Sequence, residues 1–187
     1  VLDKWVVDTV PQWQSPSRDT NFEPILETIT DQVTFDTTLL PRPIQILLPY
    51  NYQNDTSRHY PVLYLANQHK ETWPLQKELA HLCKQHDYQL IIVIIDTLAS
   101  ELHHELAPYD STILGIGKGK EFLRFITRQL KPFIDKKYRT YPNRLQTGIG
   151  GNQVGGLLTL YAGVMHPETF GKLLLFSPSL SISDKII

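Results

Sequence analysis

The order of patterns along the chain predicts a three-layer α/β domain built on a mostly parallel central sheet. Two observations carry this: short apolar, β-branched runs recur at intervals, and stretches of helical period lie between them. The length agrees, since 187 residues make one domain of ordinary size. A chain this long buries about 70% of the surface it exposes when unfolded, so it needs no disulfide or metal to stay folded.

Residues 1–42 are rich in Thr, Asp and Pro. With β-prone stretches at Trp5-Val6-Val7 and Gln32-Val33-Thr34-Phe35, they read as a meander of edge strands and turns. Residues 43–187 alternate strands and helices, with no repeat and no linker to divide the chain. Ile44-Gln45-Ile46-Leu47-Leu48 is a strand ended by Pro49 and a polar turn over 51–57. The triplet Asn54-Asp55-Thr56 has a glycosylation pattern but reads as an ordinary turn. Pro61-Val62-Leu63-Tyr64-Leu65 is a short apolar run of the kind that fills a buried sheet.

From Pro74 the period changes. Leu75, Leu79, Leu82 and Cys83 fall on one helical stripe, with Thr72 as N-cap and Pro74 in the first turn. Residues 90–95 are consecutive apolar residues dominated by β-branched types, which predicts a central parallel strand covered on both faces. Residues 121–138 are helical, with Phe122, Phe125, Ile126, Leu130, Phe133 and Ile134 on one face. A strand at 145–149 runs into glycines, a helix follows at 155–165, and 172–176 is another apolar strand. Connections of these lengths imply βαβ crossovers.

Composition excludes several functions. Hydrophobic residues make up 41% and charged residues 20%, with 18 basic against 19 acidic side chains and a net charge of −1. That balance belongs neither to a basic nucleic-acid binder nor to a disordered chain. Cys83 has no second cysteine to pair with and sits on an apolar stripe, so it reads as core and not as a nucleophile. The apolar run at 90–95 is far too short to span a membrane. The chain opens at Val1 without a signal-peptide layout, which together with the lone cysteine predicts a cytoplasmic setting; the missing methionine suits a processed chain or one cut from a longer precursor. No cofactor is expected. Gly115-Ile116-Gly117-Lys118-Gly119-Lys120 lacks phosphate-loop spacing and reads as a flexible loop. His103 and His104, with Glu101 and Glu105, are neighbours too close in sequence to converge on one metal ion.

In open parallel sheets, chemistry gathers at the carboxyl ends of the strands. The most informative such end is Thr147-Gly148-Ile149-Gly150-Gly151-Asn152-Gln153-Val154-Gly155-Gly156-Leu157: strand, tight turn, helix. This is the layout of a G-x-S-x-G nucleophile elbow, with Gly151 and Gly155 at the glycine positions and Gln153 where the serine would stand.

The run from Pro61 to Leu180 resembles the putative-esterase family of α/β-hydrolases, which includes enterochelin-type esterases, esterase D and mycolyltransferases. The likeness is carried by Arg58-His59-Tyr60-Pro61-Val62-Leu63-Tyr64-Leu65, Glu105-Leu106-Ala107-Pro108, Glu121-Phe122-Leu123-Arg124-Phe125-Ile126 and Lys131-Pro132-Phe133-Ile134-Asp135-Lys136-Lys137-Tyr138-Arg139-Thr140. After the elbow, His166-Pro167-Glu168-Thr169-Phe170-Gly171 and Ser177-Pro178-Ser179-Leu180 close the match. The resemblance implies an α/β-hydrolase-like fold lacking its last strands, because the family's acid and base follow two further strands and this chain stops at Ile187. It places the nucleophile at Gln153, and oxyanion-hole N–H groups at Val154 and near His69. An amide is no nucleophile at neutral pH. Of the later residues, His166 comes too early to be the general base, and Leu102-His103-His104 stands where many relatives carry an arginine.

The leading expectation is therefore an esterase-like domain that is catalytically impaired and serves binding or assembly, with a small ester-like ligand. A protein partner or dimer mate is expected to cover strand 172–176 at an exposed sheet edge. An alternative is the N-terminal part of, or a weakly active, carboxylic ester hydrolase acting on small acyl esters or thioesters. A third is a hydrolase whose water is activated by His69 or His103.

Overall fold

The structure is a computed structural model, and it describes residues 25–29, 33, 41–68, 75–97, 102–109 and 117–180. Among these described residues six strands form one sheet: β1 (Ile25–Thr28), β2 (Ile44–Leu48), β3 (Val62–Gln68), β4 (Ile91–Thr97), β5 (Thr147–Asn152) and β6 (Lys172–Phe176), in the order β1-β2-β4-β3-β5-β6. β4, β3, β5 and β6 run parallel, while β1 and β2 are antiparallel additions at one side. The fold is the expected mostly parallel α/β architecture.

β4 shows why its sequence is an unbroken apolar run. All seven of its residues are buried. Ile91, Val93 and Ile95 belong to the larger core cluster, and Ile92 and Ile94 to a second cluster on the opposite face. Side chains alternate along a strand, so a run without polar interruptions means that both faces are covered. Helix α1 (Leu75–Gln85) covers one face through Leu79, Ala80 and Cys83. The other is covered by α2 (Leu102–Leu106), α3 (Gly119–Phe125), α4 (Lys131–Lys137) and α5 (Val154–Met165), whose Leu106, Phe122, Ile134 and Leu158 enter the larger cluster. Each such side chain contributes about 1.5–3 kcal/mol on burial.

Several expectations are corrected in detail. The helix expected over 121–138 is interrupted by a π-helical turn at Ile126–Leu130 between α3 and α4. Pro132 lies just beyond it, and proline has no N–H to give the preceding turn. The strand expected from 145 begins at Thr147, because Arg144–Gln146 form a 3₁₀ turn that leaves Leu145 exposed. Residues 117–120 are not a loose loop. A Cβ on Gly117 would lie 2.2 Å from the Ala107 carbonyl oxygen, and Gly119 donates its N–H to that oxygen at 2.9 Å. These glycines let the start of α3 sit on the end of α2.

The turn around Asn54 is ordinary, as expected: an Asp55 carboxylate oxygen accepts hydrogen bonds from the Ser57 and Arg58 N–H groups. Trp5–Val7, Thr72 and Pro74 lie outside the described residues, and of Gln32–Phe35 only the buried Val33 is described. Among the described residues no helix is long and apolar enough to cross a membrane.

Candidate active site

β5 stays buried from Thr147 to Gly151 and surfaces at Asn152. The chain then turns at Gln153, with φ 48° and ψ −114°, and α5 starts at Val154. This backbone is rare for any residue with a side chain and costs about 1–3 kcal/mol. The turn has not relaxed, although the side chain it presents is an amide.

The flanking glycines differ in what they do. A Cβ on Gly151 would lie 2.6 Å from the Gly155 carbonyl carbon, so Gly151 is required for β5 and α5 to touch backbone to backbone. A Cβ on Gly155 would meet nothing closer than the Ala66 carbonyl oxygen at 3.4 Å, an ordinary contact. Gly156 is tighter, with the Phe176 carbonyl oxygen and Pro178 Cα each 3.1 Å from its added Cβ. The motif drew attention to Gly155; the geometry gives more weight to Gly156.

Val154 is buried and stands first in α5. Its N–H is therefore among those that a helix leaves without an internal acceptor, at the positive end of the helix dipole. His69 lies outside the described residues, as does the His103 side chain. His166 and Glu168 do approach each other, Nδ1 to Oε1 at 3.4 Å, but at the far end of α5. Twelve helical residues put them about 18 Å from the elbow.

A charged cluster that the sequence did not single out lies at the carboxyl end of β4. Arg42 and Glu105 form a two-point ion pair at 2.7 and 2.8 Å, with side chains 0% and 3% exposed. The Arg42 guanidinium also lies 5.4 Å from the centre of the Phe122 ring. Asp96 and Thr97 are buried at the same strand end. Because β2 is antiparallel to β4, its start brings Arg42 to this end of the sheet, and the Asp96 N–H donates to the Pro43 carbonyl at 3.1 Å. The pair ties α2 to the sheet, and Leu106 of α2 reaches Gly155 (a Cβ built there would lie 3.6 Å from Leu106 Cδ1). Glu105, weighed as a metal neighbour, is thus engaged by Arg42. Among the described residues no three His, Cys, Asp or Glu side chains gather as a metal site.

A strand end, a glycine-flanked residue at positive φ and a following helix, on the edge where parallel strands end, define an α/β-hydrolase type of elbow. Comparisons with known proteins give the family. The model of the family described as Putative esterase matches residues 38–187, and the chain belongs to that family. A curated relative, the endo-1,4-beta-xylanase/feruloyl esterase of Xylanibacter ruminicola, is 25% identical over an alignment 203 positions long, gaps included, that covers 94% of this chain and 26% of that protein.

Among solved structures, the ferulic acid esterase of Anaeromyces mucronatus superposes with a TM-score of 0.62 at 20% identity, over 87% of this chain and 62% of that one. The IroE-like serine hydrolase of Shewanella oneidensis gives 0.65 at 20% identity, over 84% and 51%. The ferric enterobactin esterase of Salmonella typhimurium gives 0.65 at 21%, over 89% and 39%. These structural likenesses concern the fold, and the chain spans less than two thirds of each of these proteins.

Proposed function

We propose that this chain is an esterase-fold domain, acting as one unit over residues 1–187, that does not hydrolyse esters and instead serves a binding or assembly role. The observation that carries the reading is residue 153. The elbow backbone is present, φ 48° and ψ −114°, but it presents a glutamine. A primary amide has no hydroxyl or thiol for a base to activate. What remains useful is the backbone: the Val154 N–H and the start of α5 favour a partial negative charge on a bound oxygen, as in an ester or carboxylate ligand.

The test is hydrolysis of p-nitrophenyl acetate and methyl ferulate by the chain and by its Gln153→Ala and Gln153→Ser variants. No turnover above buffer in all three is the expected result. Turnover in the parent that the alanine variant loses would overturn the reading of Gln153. Turnover confined to the serine variant would show that a general base reaches the elbow.

One observation favours a second reading, in which the chain is part of a longer ester hydrolase of the feruloyl or enterobactin type. β6 is an edge strand, and all five of its residues are exposed, including Leu173, Leu174, Leu175 and Phe176. A parallel edge strand that is apolar on both faces calls for further polypeptide beside it. An intact mass well above 21.5 kDa in the native source would favour this reading. It would not by itself supply the serine.

A further inference from the structure

The elbow keeps its strained backbone without the side chain whose chemistry would justify it. What holds it is visible on the neighbouring strand. The Gln153 N–H donates to the Phe176 carbonyl at 3.0 Å, and the Gln153 carbonyl accepts from the Ser179 N–H at 3.0 Å and from the Leu157 N–H at 3.0 Å. Phe176 ends β6, and the next residue, Ser177, is itself at positive φ, 42°. Only one other described non-glycine residue, Asp87, has a positive φ, and it lies in the turn after α1. Gly156 completes the contact: a Cβ there would lie 3.1 Å from both the Phe176 carbonyl oxygen and Pro178 Cα, tighter than side-chain carbons ordinarily pack.

We infer that Phe176–Ser179 is a backbone clamp that positions the elbow, and that the turns at Gln153 and Ser177 hold each other in their strained forms. The clamp bridges adjacent strand ends, β5 and β6, so the geometry of the candidate site is set from the β6 side of the sheet. Ser177 and Ser179 are positioning residues: they act on residue 153 through main-chain atoms, whatever side chain stands there. This inference goes beyond the binding reading and holds with or without catalysis at the elbow. A failed ester assay therefore leaves it standing.

The test is a set of double-mutant cycles on the whole chain, read by urea unfolding. Gln153→Gly relieves the strain at 153 and is expected to raise the unfolding midpoint of the parent. Ser179→Pro deletes the N–H that grips the Gln153 carbonyl, and Ser177→Val disfavours positive φ while leaving both hydrogen-bonding groups in place. In either background the elbow is free to relax, so the gain from Gln153→Gly shrinks, by at least about threefold in the unfolding constant. In parallel, the Gln153 backbone N–H is expected to exchange slowly with solvent in the parent and at least tenfold faster in Ser177→Val. Where Ser179→Pro does not fold, Ser177→Val decides. Additive effects, unchanged exchange at Gln153, or no gain from Gln153→Gly in the parent would each overturn the clamp. Unfolding of both clamp variants would do so too, by assigning Ser177 and Ser179 to the global core.

Discussion

At Gln153 the backbone stands at φ 48°, and the surrounding glycines show which close contacts hold the turn between β5 and α5. Gly151 is needed because a Cβ there would overlap the Gly155 backbone at 2.6 Å, whereas a Cβ on Gly155 finds ordinary contacts at 3.4 Å and beyond. Gly151→Ala should therefore cost about 1–3 kcal/mol through overpacking. Gly155→Ala, inside a helix where alanine is favoured over glycine by up to about 1 kcal/mol, should be neutral or stabilising. Urea unfolding of the two variants checks this, and equal losses would show that both positions are closely packed. The sequence made both glycines visible through their spacing. It could not rank them, since their roles depend on how near β5 and α5 come to each other.

Elements this short depend on their neighbours for their place. α2 is five residues, below the length at which a helix is stable alone, and the Arg42–Glu105 pair fastens it to the start of β2. Glu105→Ala removes a two-point ion pair from a buried guanidinium and should cost about 3–5 kcal/mol, while Arg42→Met with Glu105→Met should restore most of that loss. Thermal unfolding of the single and double variants separates the two outcomes; a single variant as stable as the parent would contradict this account.

On the opposite face, α1 half-buries Cys83, and burial pushes its thiol up to about 11 from 9.0. At pH 8 about one thiol in a thousand is then ionised, so reaction with a disulfide reagent should be slow and should accelerate on unfolding. The linkage has a definite sign. The folded chain holds this proton more tightly than the unfolded one, so the contribution to stability is constant below pH 9.0 and declines as pH rises toward 11. Urea midpoints compared between pH 7 and pH 10 test it, with Cys83→Ala as the variant in which that part of the decline disappears.

At the scale of the whole sheet, the two edge strands among the described residues, β1 and β6, differ in what they show to solvent. At the first side β1 is tied down by the Tyr138 hydroxyl, which donates to the Glu27 carboxylate at 2.7 Å. At the other side β6 shows four large apolar residues between 36% and 55% exposed. Unpaired apolar edges promote association, and lysine on an edge opposes it. The isolated chain is expected to self-associate at micromolar concentration, and Leu175→Lys to reduce this without loss of helix content, as followed by light scattering and circular dichroism. A parent that remains monomeric over that range would show that the edge does not drive association.

Much of this molecule could be read from its residues. The unbroken apolar run in β4, the helical stripe of α1, the β5–turn–α5 sequence and the strand at 172–176 follow from period, β-branching and glycine placement, which act locally. The family likeness and the glycine-flanked glutamine in the turn between β5 and α5 were legible for the same reason, because motif spacing is a property of the chain alone. Other features came only from the tertiary structure. The antiparallel β2, the Arg42–Glu105 pair across 63 residues, the packing of Gly117 and Gly119 on α2 and the grip of Phe176–Ser179 on the elbow join segments distant in sequence. No local pattern encodes such contacts, since each exists only once the sheet order has brought its strand ends together.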